Sequence, residues 1–228
     1  MHQSPAVVAI DGPAGAGKST ISRRVAAQLG YTYIDTGAMY RCVALAALTR
    51  NIDDVAALAQ EVRIAFGTEQ QVFLNGEDVT AAIREPRVSE AASKVSANPE
   101  VRRAMVDEQR RIAAGTSVVM EGRDIGTVVF PNAQVKIFLD ADPLVRARRR
   151  ASELNARGIA ADVDDIAQQI GARDHRDATR EDSPMIPAAD AIRLDTSGLT
   201  LEQVEEAILD IVRSRTLFKR AGADAPTK

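Results

Sequence analysis

The sequence predicts an α/β fold, a five-stranded parallel sheet between helices in three layers, interrupted by an insertion that carries a small antiparallel sheet of its own. Three observations predict it. Short apolar runs alternate with segments of helical periodicity, a glycine-rich turn joins the first such run to the first helix, and about eighty residues separate the second and third sheet strands, far more than a crossover requires.

Ala6-Val7-Val8-Ala9-Ile10 reads as a buried strand. Residues 18–29 place Ile21, Val25 and Leu29 at i, i+4 and i+8 of a helix, and Gly30 supplies its C-terminal stop. Residues 31–34 form the second strand, which completes a strand, turn, helix, strand unit with a right-handed crossover. Residues 117–120, 135–139 and 191–194 supply the remaining three strands. Inside the long insertion, Asn75-Gly76 between Val72-Phe73-Leu74 and Glu77-Asp78-Val79 is a type I′ hairpin signature. A helix follows, capped by Asn98 with Pro99 in its first turn, striped by Val101, Met105 and Ile112 and stopped at Gly115; Arg102 falls on its polar side. Asp142-Pro143 opens another helix in the same manner, which runs into the basic stretch Arg146-Ala147-Arg148-Arg149-Arg150.

The chain of 228 residues is 45% hydrophobic and 27% charged, which excludes a disordered or fibrous protein. No apolar run approaches the roughly 20 residues of a membrane span, and the start, MHQSPAVVAIDG, lacks a basic segment followed by an apolar one, so a cytoplasmic protein is expected. A single cysteine, Cys42, with only His2 and His175, argues against a disulfide framework and a cysteine-rich zinc site. A net charge of −3 argues against a nucleic-acid binder. Yet 24 of the 29 basic residues are arginine, the side chain that grips phosphate bidentately. A biased coding composition explains that excess equally well until positions are considered.

Gly12-Pro13-Ala14-Gly15-Ala16-Gly17-Lys18-Ser19 matches G-x-x-x-x-G-K-[ST] between the first strand and the first helix, the context that a P-loop requires. The glycines let backbone N–H groups converge on phosphate oxygens at a helix N-terminus, Lys18 reaches the β- and γ-phosphates, and the Ser19 hydroxyl, with Thr20 beside it, ligates Mg²⁺. A nucleoside triphosphate site spanning Gly12 to Thr20 is therefore expected. A P-loop alone does not separate a kinase from a GTPase switch or a motor. Asp35-Thr36-Gly37-Ala38-Met39-Tyr40-Arg41 forms a turn at the carboxyl edge of the sheet, where an acceptor would sit, and Arg41 is a candidate phosphate ligand there. Met120-Glu121-Gly122-Arg123-Asp124 presents a second arginine at the same edge. Arg173, Arg176, Asp177 and Arg180, at i, i+3, i+4 and i+7, share one helical face. Three guanidinium groups on one stripe suit a polyphosphate, while a surface network with Asp174, Glu181 and Asp182 is the plainer alternative. The stretch containing Arg146, Arg149 and Arg150 reads either as a mobile lid that closes over ATP or as a solvated basic face.

The strings IDGPAGAGKST, IDTGAMYR, EGRDIGTVVFPNAQVKIFLDAD and ARDHRDATRED together resemble the bacterial cytidylate kinases, over nearly the whole chain. The resemblance implies a P-loop kinase of the nucleoside monophosphate type, a single domain over residues 1–228 with a core at about 1–60, 114–145 and 188–228, an enlarged monophosphate-binding insertion at about 61–113 and a lid at about 146–170. It implies transfer of the γ-phosphoryl group from ATP, with Mg²⁺, to CMP or dCMP, with UMP a poor acceptor, by a monomer. Arg41, Arg123 and Arg180 would hold the acceptor phosphate; Ser93, Arg102 and Asp124 would read the cytosine; Asp177 with Arg173 would contact the ribose. Lys18, Arg123, Arg173 and Arg180 would carry the catalytic charge, and Thr36 stands where relatives usually have serine. An ionised Asp124 can only accept hydrogen bonds, which suits the amino group of cytosine and not the carbonyl of uracil. The rivals are a P-loop kinase of another small acceptor such as UMP, shikimate or dephospho-coenzyme A, and a non-enzymatic nucleotide switch.

Overall fold

A computed structural model describes residues 5–67 and 71–223. β1 (Val7–Asp11) runs into the glycine-rich turn and α1 (Lys18–Leu29), and β2 (Thr32–Asp35) follows. The later strands of the same sheet are β6 (Val118–Gly122), β7 (Val135–Asp140) and β8 (Ile192–Asp195), and the order across it is β2-β6-β1-β7-β8 with every pairing parallel. The chain leaves β1 toward β2 on one side and returns past β6 to β7 on the other, so the carboxyl end of β1 lies at the point where connections diverge, the position at which open α/β sheets bind ligands. All five expected strands are present within a residue or two. β1, β6 and most of β7 are buried along their length, as a sheet covered on both faces requires.

Between β2 and β6 the chain forms α2 (Thr36–Arg50), α3 (Val55–Glu61), β3 (Ile64–Phe66), β4 (Val72–Leu74), β5 (Glu77–Asp78), α4 (Pro86–Val95) and α5 (Pro99–Ala113). Asn75 and Gly76 both take positive φ, 52° and 89°, as a type I′ turn demands. The sheet gains a strand that the sequence pattern did not suggest, β3, paired antiparallel with β4. The segment 35–41 is also not a turn. Asp35 accepts a hydrogen bond from the Ala38 amide at 2.9 Å, and this cap starts α2 directly at Thr36. Asn98 caps α5 as expected, accepting from the Glu100 and Val101 amides.

Two large apolar clusters flank the sheet. One face packs Val8, Ile10, Ile137 and Leu139 against Ile21 and Val25 of α1 and Val204, Ile208 and Val212 of α8 (Leu201–Ala223). The other is continuous with the insertion: Ala9, Val118 and Met120 share one core with Met39, Cys42 and Val43 of α2, Leu58 of α3, Ile64 and Val72 of the small sheet, Val88 of α4 and Val101 and Met105 of α5. A third, small cluster, Ala147, Ala151, Ile166 and Ile170, joins α6 (Pro143–Ala156) to α7 (Val163–Thr179) in a helical hairpin. No helix among the described residues is long and apolar enough to cross a membrane.

Met105 is fully buried and belongs to the shared core, whereas Leu48 of α2 is 46% exposed. Met105→Ala should lower unfolding free energy by about 2–5 kcal/mol, and Leu48→Ala should leave it within about 0.5 kcal/mol; urea unfolding followed by circular dichroism measures both.

Candidate active site

One half of the candidate site is the turn from Gly12 to Ser19. Two of its glycines are forced by close approach: a Cβ at Gly12 would lie 2.0 Å from the Leu139 carbonyl oxygen, and one at Gly15 would lie 2.9 Å from that of Arg146, both at positive φ. Ala16 is buried in the α1 face of the core, which seats the turn on the sheet. Pro13 supplies the carbonyl that accepts from Lys18 Nζ at 2.7 Å. Burial, reinforced by the neighbouring Arg123 guanidinium, brings the Lys18 ammonium down to about 7. Ser19 hydrogen-bonds the Glu121 carboxyl, which also accepts from the Tyr33 hydroxyl, and desolvation followed by repulsion from Asp35 raises Glu121 above the ordinary range. Asp11, at the carboxyl end of β1, accepts from the backbone N–H groups of Ile125 and Gly126, both at 2.8 Å. Desolvation raises it to about 6.

Beside this turn, at the carboxyl edge of β2 and β6, opens a narrow cleft. Its walls include Thr36, Tyr40 and Arg41 of α2, Arg102 of α5, Arg123 and Asp124 after β6, and Arg173, Asp177 and Arg180 at the end of α7. Five arginines thus face two aspartates. Arg102 is ion-paired with Asp124 and lies over the Tyr40 ring, 5.5 Å from its centroid. Arg123 donates to Asp177 at 3.0 Å, and Arg180 lies 3.6 Å from Asp177 and 3.8 Å from Asp124. These pairings leave charge over. Burial and the adjacent Arg123 lower Arg173 to about 10, and burial with Arg102 nearby lowers Arg180. Arg102 Nε, Arg173 Nε and one terminal nitrogen of Arg180 are buried without a hydrogen-bond partner. Buried donors of this kind call for an anionic acceptor.

The structure therefore brings together Thr36, Arg41, Arg102, Arg123, Asp124, Arg173, Asp177 and Arg180 around one space. Arg102 does not lie on a solvated polar face of α5: it is 2% exposed, buried alongside Val101 and Met105, with its head turned to Asp124. The four-residue stripe on α7 also resolves differently. The helix ends at Thr179, Arg180 follows in extended conformation, and Arg176 turns away from the cleft to donate to the Ser93 hydroxyl at 3.1 Å. Ser93 is buried in α4 behind Ala92 and Ser96, which line the cleft in its place. Of the basic stretch on α6, Arg146 is buried and donates to the carbonyls of Ala141 and Ala14, Arg149 holds Thr196, and Arg150 pairs with Glu153 at 3.1 Å.

Several participants were not singled out from the sequence. Asp11, Asp35 and Glu121 sit at or beside the carboxyl ends of β1, β2 and β6, a placement that could have marked them once the strands were drawn. Asp35 accepts from Arg84 at 3.0 Å as well as capping α2; burial pushes its carboxyl up, but Arg41 and Arg84 outweigh that and hold it below the ordinary range. Tyr40 and Arg84 carried no local signal.

Comparison with known proteins agrees with this arrangement. The model of the family described as cytidylate kinase matches residues 8–214. A cytidylate kinase from Solibacter usitatus is 54% identical over 222 residues, covering 93% of this chain and 94% of that protein. One from Pelotomaculum thermopropionicum is 49% identical over 211 residues, covering 89% and 93%. Among solved structures, an uncharacterized protein from Eubacterium ventriosum shares the fold with a TM-score of 0.51 at 11% identity, over 92% of this chain and 99% of that one. A parallel sheet with a P-loop at its switch point, an arginine-rich acceptor cleft beside it and relatives at about half identity over almost their full length place the chain in the cytidylate kinase family.

Proposed function

We propose that this protein transfers the γ-phosphoryl group of ATP to CMP or dCMP, giving ADP and CDP or dCDP. The observation that carries the reading is the cleft beside Lys18, in which five arginines meet two aspartates and three of the arginines, Arg102, Arg173 and Arg180, keep a buried donor without a hydrogen-bond partner. A nucleoside monophosphate bears a dianionic phosphate that matches the surplus and a base that Asp124 can select. Arg41, Arg123 and Arg180 hold the phosphate, Asp177 with Arg173 contacts the ribose, and Asp124 with Arg102, which donates to the Ser96 carbonyl, reads the cytosine edge, whereas Ser93, expected to read it too, bonds Arg176 and does not line the cleft. A phosphate oxygen of CMP is already a nucleophile at neutral pH, so the protein supplies alignment and charge and no general base. Lys18 and the arginines offset the negative charge that spreads over the transferring group as the bond to ADP breaks. The insertion carries part of the acceptor wall, and the part of the α6–α7 hairpin at about 146–170 serves as the lid.

The residues at the P-loop fit Mg²⁺ bound together with ATP. No cage of three or more carboxylates, histidines or cysteines stands among the described residues, and the Ser19 hydroxyl beside Glu121 is the small donor set that Mg²⁺ takes when phosphate and water fill its remaining positions. Ser19 would hold the ion, which when bound neutralises the β- and γ-phosphate oxygens. As the family resemblance implies, the protein acts as a monomer on free nucleotides in the cytoplasm, without nucleic-acid or membrane partners.

ADP release with Mg-ATP, compared across CMP, dCMP, UMP, AMP, dTMP and shikimate, should rise strongly with CMP and dCMP. UMP should trail by a factor of about 10–100, the cost of one mispaired buried polar group. A response to shikimate, or to none of these acceptors, would refute the reading. Arg41→Ala and Arg180→Ala should each cut turnover by about 100-fold or more while the unfolding midpoint stays near that of the parent, and near-normal kinetics would remove those residues from the site. Lys18 sits near 7, below its usual value, so it is charged on the acid side and loses its proton as pH rises. kcat/KM for ATP should therefore be level below that value and fall above it, while kcat at saturating ATP holds, because bound triphosphate keeps the proton on; a profile over roughly pH 6–9 tests this.

A further inference from the structure

Asp174 belongs to the same turn of α7 as the cleft residues Arg173 and Asp177, yet its side chain leaves the cleft. Its Oδ1 accepts from the Ala14 backbone N–H at 3.1 Å, and its Oδ2 is ion-paired with Arg146 of α6. Arg146 completes the contact from the other side, with Nη1 donating to the Ala14 carbonyl at 2.9 Å and Nε to the Ala141 carbonyl at 3.0 Å. Both polar groups of one P-loop residue are thus gripped by a single largely buried ion pair, one member on each helix of the α6–α7 hairpin; the side chains are 9% and 15% exposed. Packing reinforces the grip. Ala14 packs against the small apolar cluster of the hairpin, and at Gly15 there is no room for a Cβ against the Arg146 backbone.

We infer that Asp174 and Arg146 are positioning residues that lock the P-loop to α7 and so fix the distance between the ATP phosphates and the acceptor phosphate. The inference rests on the kinase reading given above. The donor phosphates are held by the turn that contains Ala14, and the acceptor by Arg173, Asp177 and Arg180 on and just after the helix that contains Asp174. Without the clamp the hairpin keeps its own core, each substrate keeps its own ligands, and only the register between the two is lost. In-line transfer is sensitive to that register, since a misplacement of about 1 Å costs about 100-fold in rate.

The test compares Asp174→Asn, Arg146→Met and the double variant with the parent. ATP and CMP dissociation constants are measured separately by calorimetry, kcat is measured at saturation in both substrates, and thermal unfolding is followed for each protein. Asp174→Asn should lower kcat about 30- to 100-fold while both dissociation constants stay within about threefold. The double variant should be no slower than the slower single variant, because both substitutions open the same clamp. A kcat within about threefold of the parent would overturn the inference, as would a loss confined to ATP affinity or one that tracks lost stability. Should Asp174→Asn fail to fold, Asp174→Glu keeps the charge and shifts the register by one methylene; a folded Asp174→Glu protein with parental kcat overturns the inference, and a slowed one with intact binding supports it. The parent is assayed alongside, so absence of CMP-stimulated ADP release in the parent marks failure of the kinase reading, whereas failure of the clamp shows only in the variants.

Discussion

Like charge gathered out of water is the constraint around which this structure is arranged. A guanidinium leaves water only when hydrogen bonds and counter-charge replace what it loses, and the cleft holds five guanidiniums against two carboxylates. The protein meets part of that demand internally. Asp124 faces Arg102 and Arg180, Asp177 faces Arg123, Arg173 and Arg180, and Asp35 faces Arg41 and Arg84. What remains is spread over several centres and not concentrated in one, which leaves the group as a whole attractive to an anion. Lys18, pressed by burial and by Arg123, stands at the end of the same gradient. The phosphate-binding turn and the cleft are therefore electrostatically coupled through Lys18 and Arg123.

The fold was legible because its signals are local. An apolar run, a glycine turn and a capped amphipathic helix each announce themselves within a dozen residues, and β1, α1, β6, β7, α5 and α6 follow them closely. The misreadings occurred where tertiary contacts decide. Asp35-Thr36-Gly37 carries turn-forming residues, yet the Asp35 carboxylate caps a helix there, and Arg84, 49 positions away, holds its other oxygen. β3 is a three-residue strand that exists only through its pairing with β4, and it has too little periodicity to be read alone.

Much of the site was legible as well, but through resemblance more than through residue spacing. The shared stripe on α7 brings Arg173, Asp177 and Arg180 to the cleft, Arg180 from just beyond the helix end, and it fails for Arg176, which bonds Ser93 instead. Arg102 shows the same limit from the opposite direction. A charged residue beside an apolar stripe is normally solvated, and this one is buried because Asp124 and the Tyr40 ring, contributed by distant segments, make burial tolerable. Asp174 resembled a member of a surface network, and only the folded chain shows its oxygens divided between a backbone amide and Arg146.

The core that runs without a break from Ala9, Val118 and Met120 into α2, the small sheet and α5 sets a limit on modularity. An insertion that had been acquired as a ready-made unit would bring its own interior and meet the sheet at a polar seam. Here α2 and the inserted segment together cover the β1, β2 and β6 part of one face of the sheet. Recombination between relatives must exchange both sides of that interior together, and an acceptor wall grafted alone would carry half a core into a host lacking the other half.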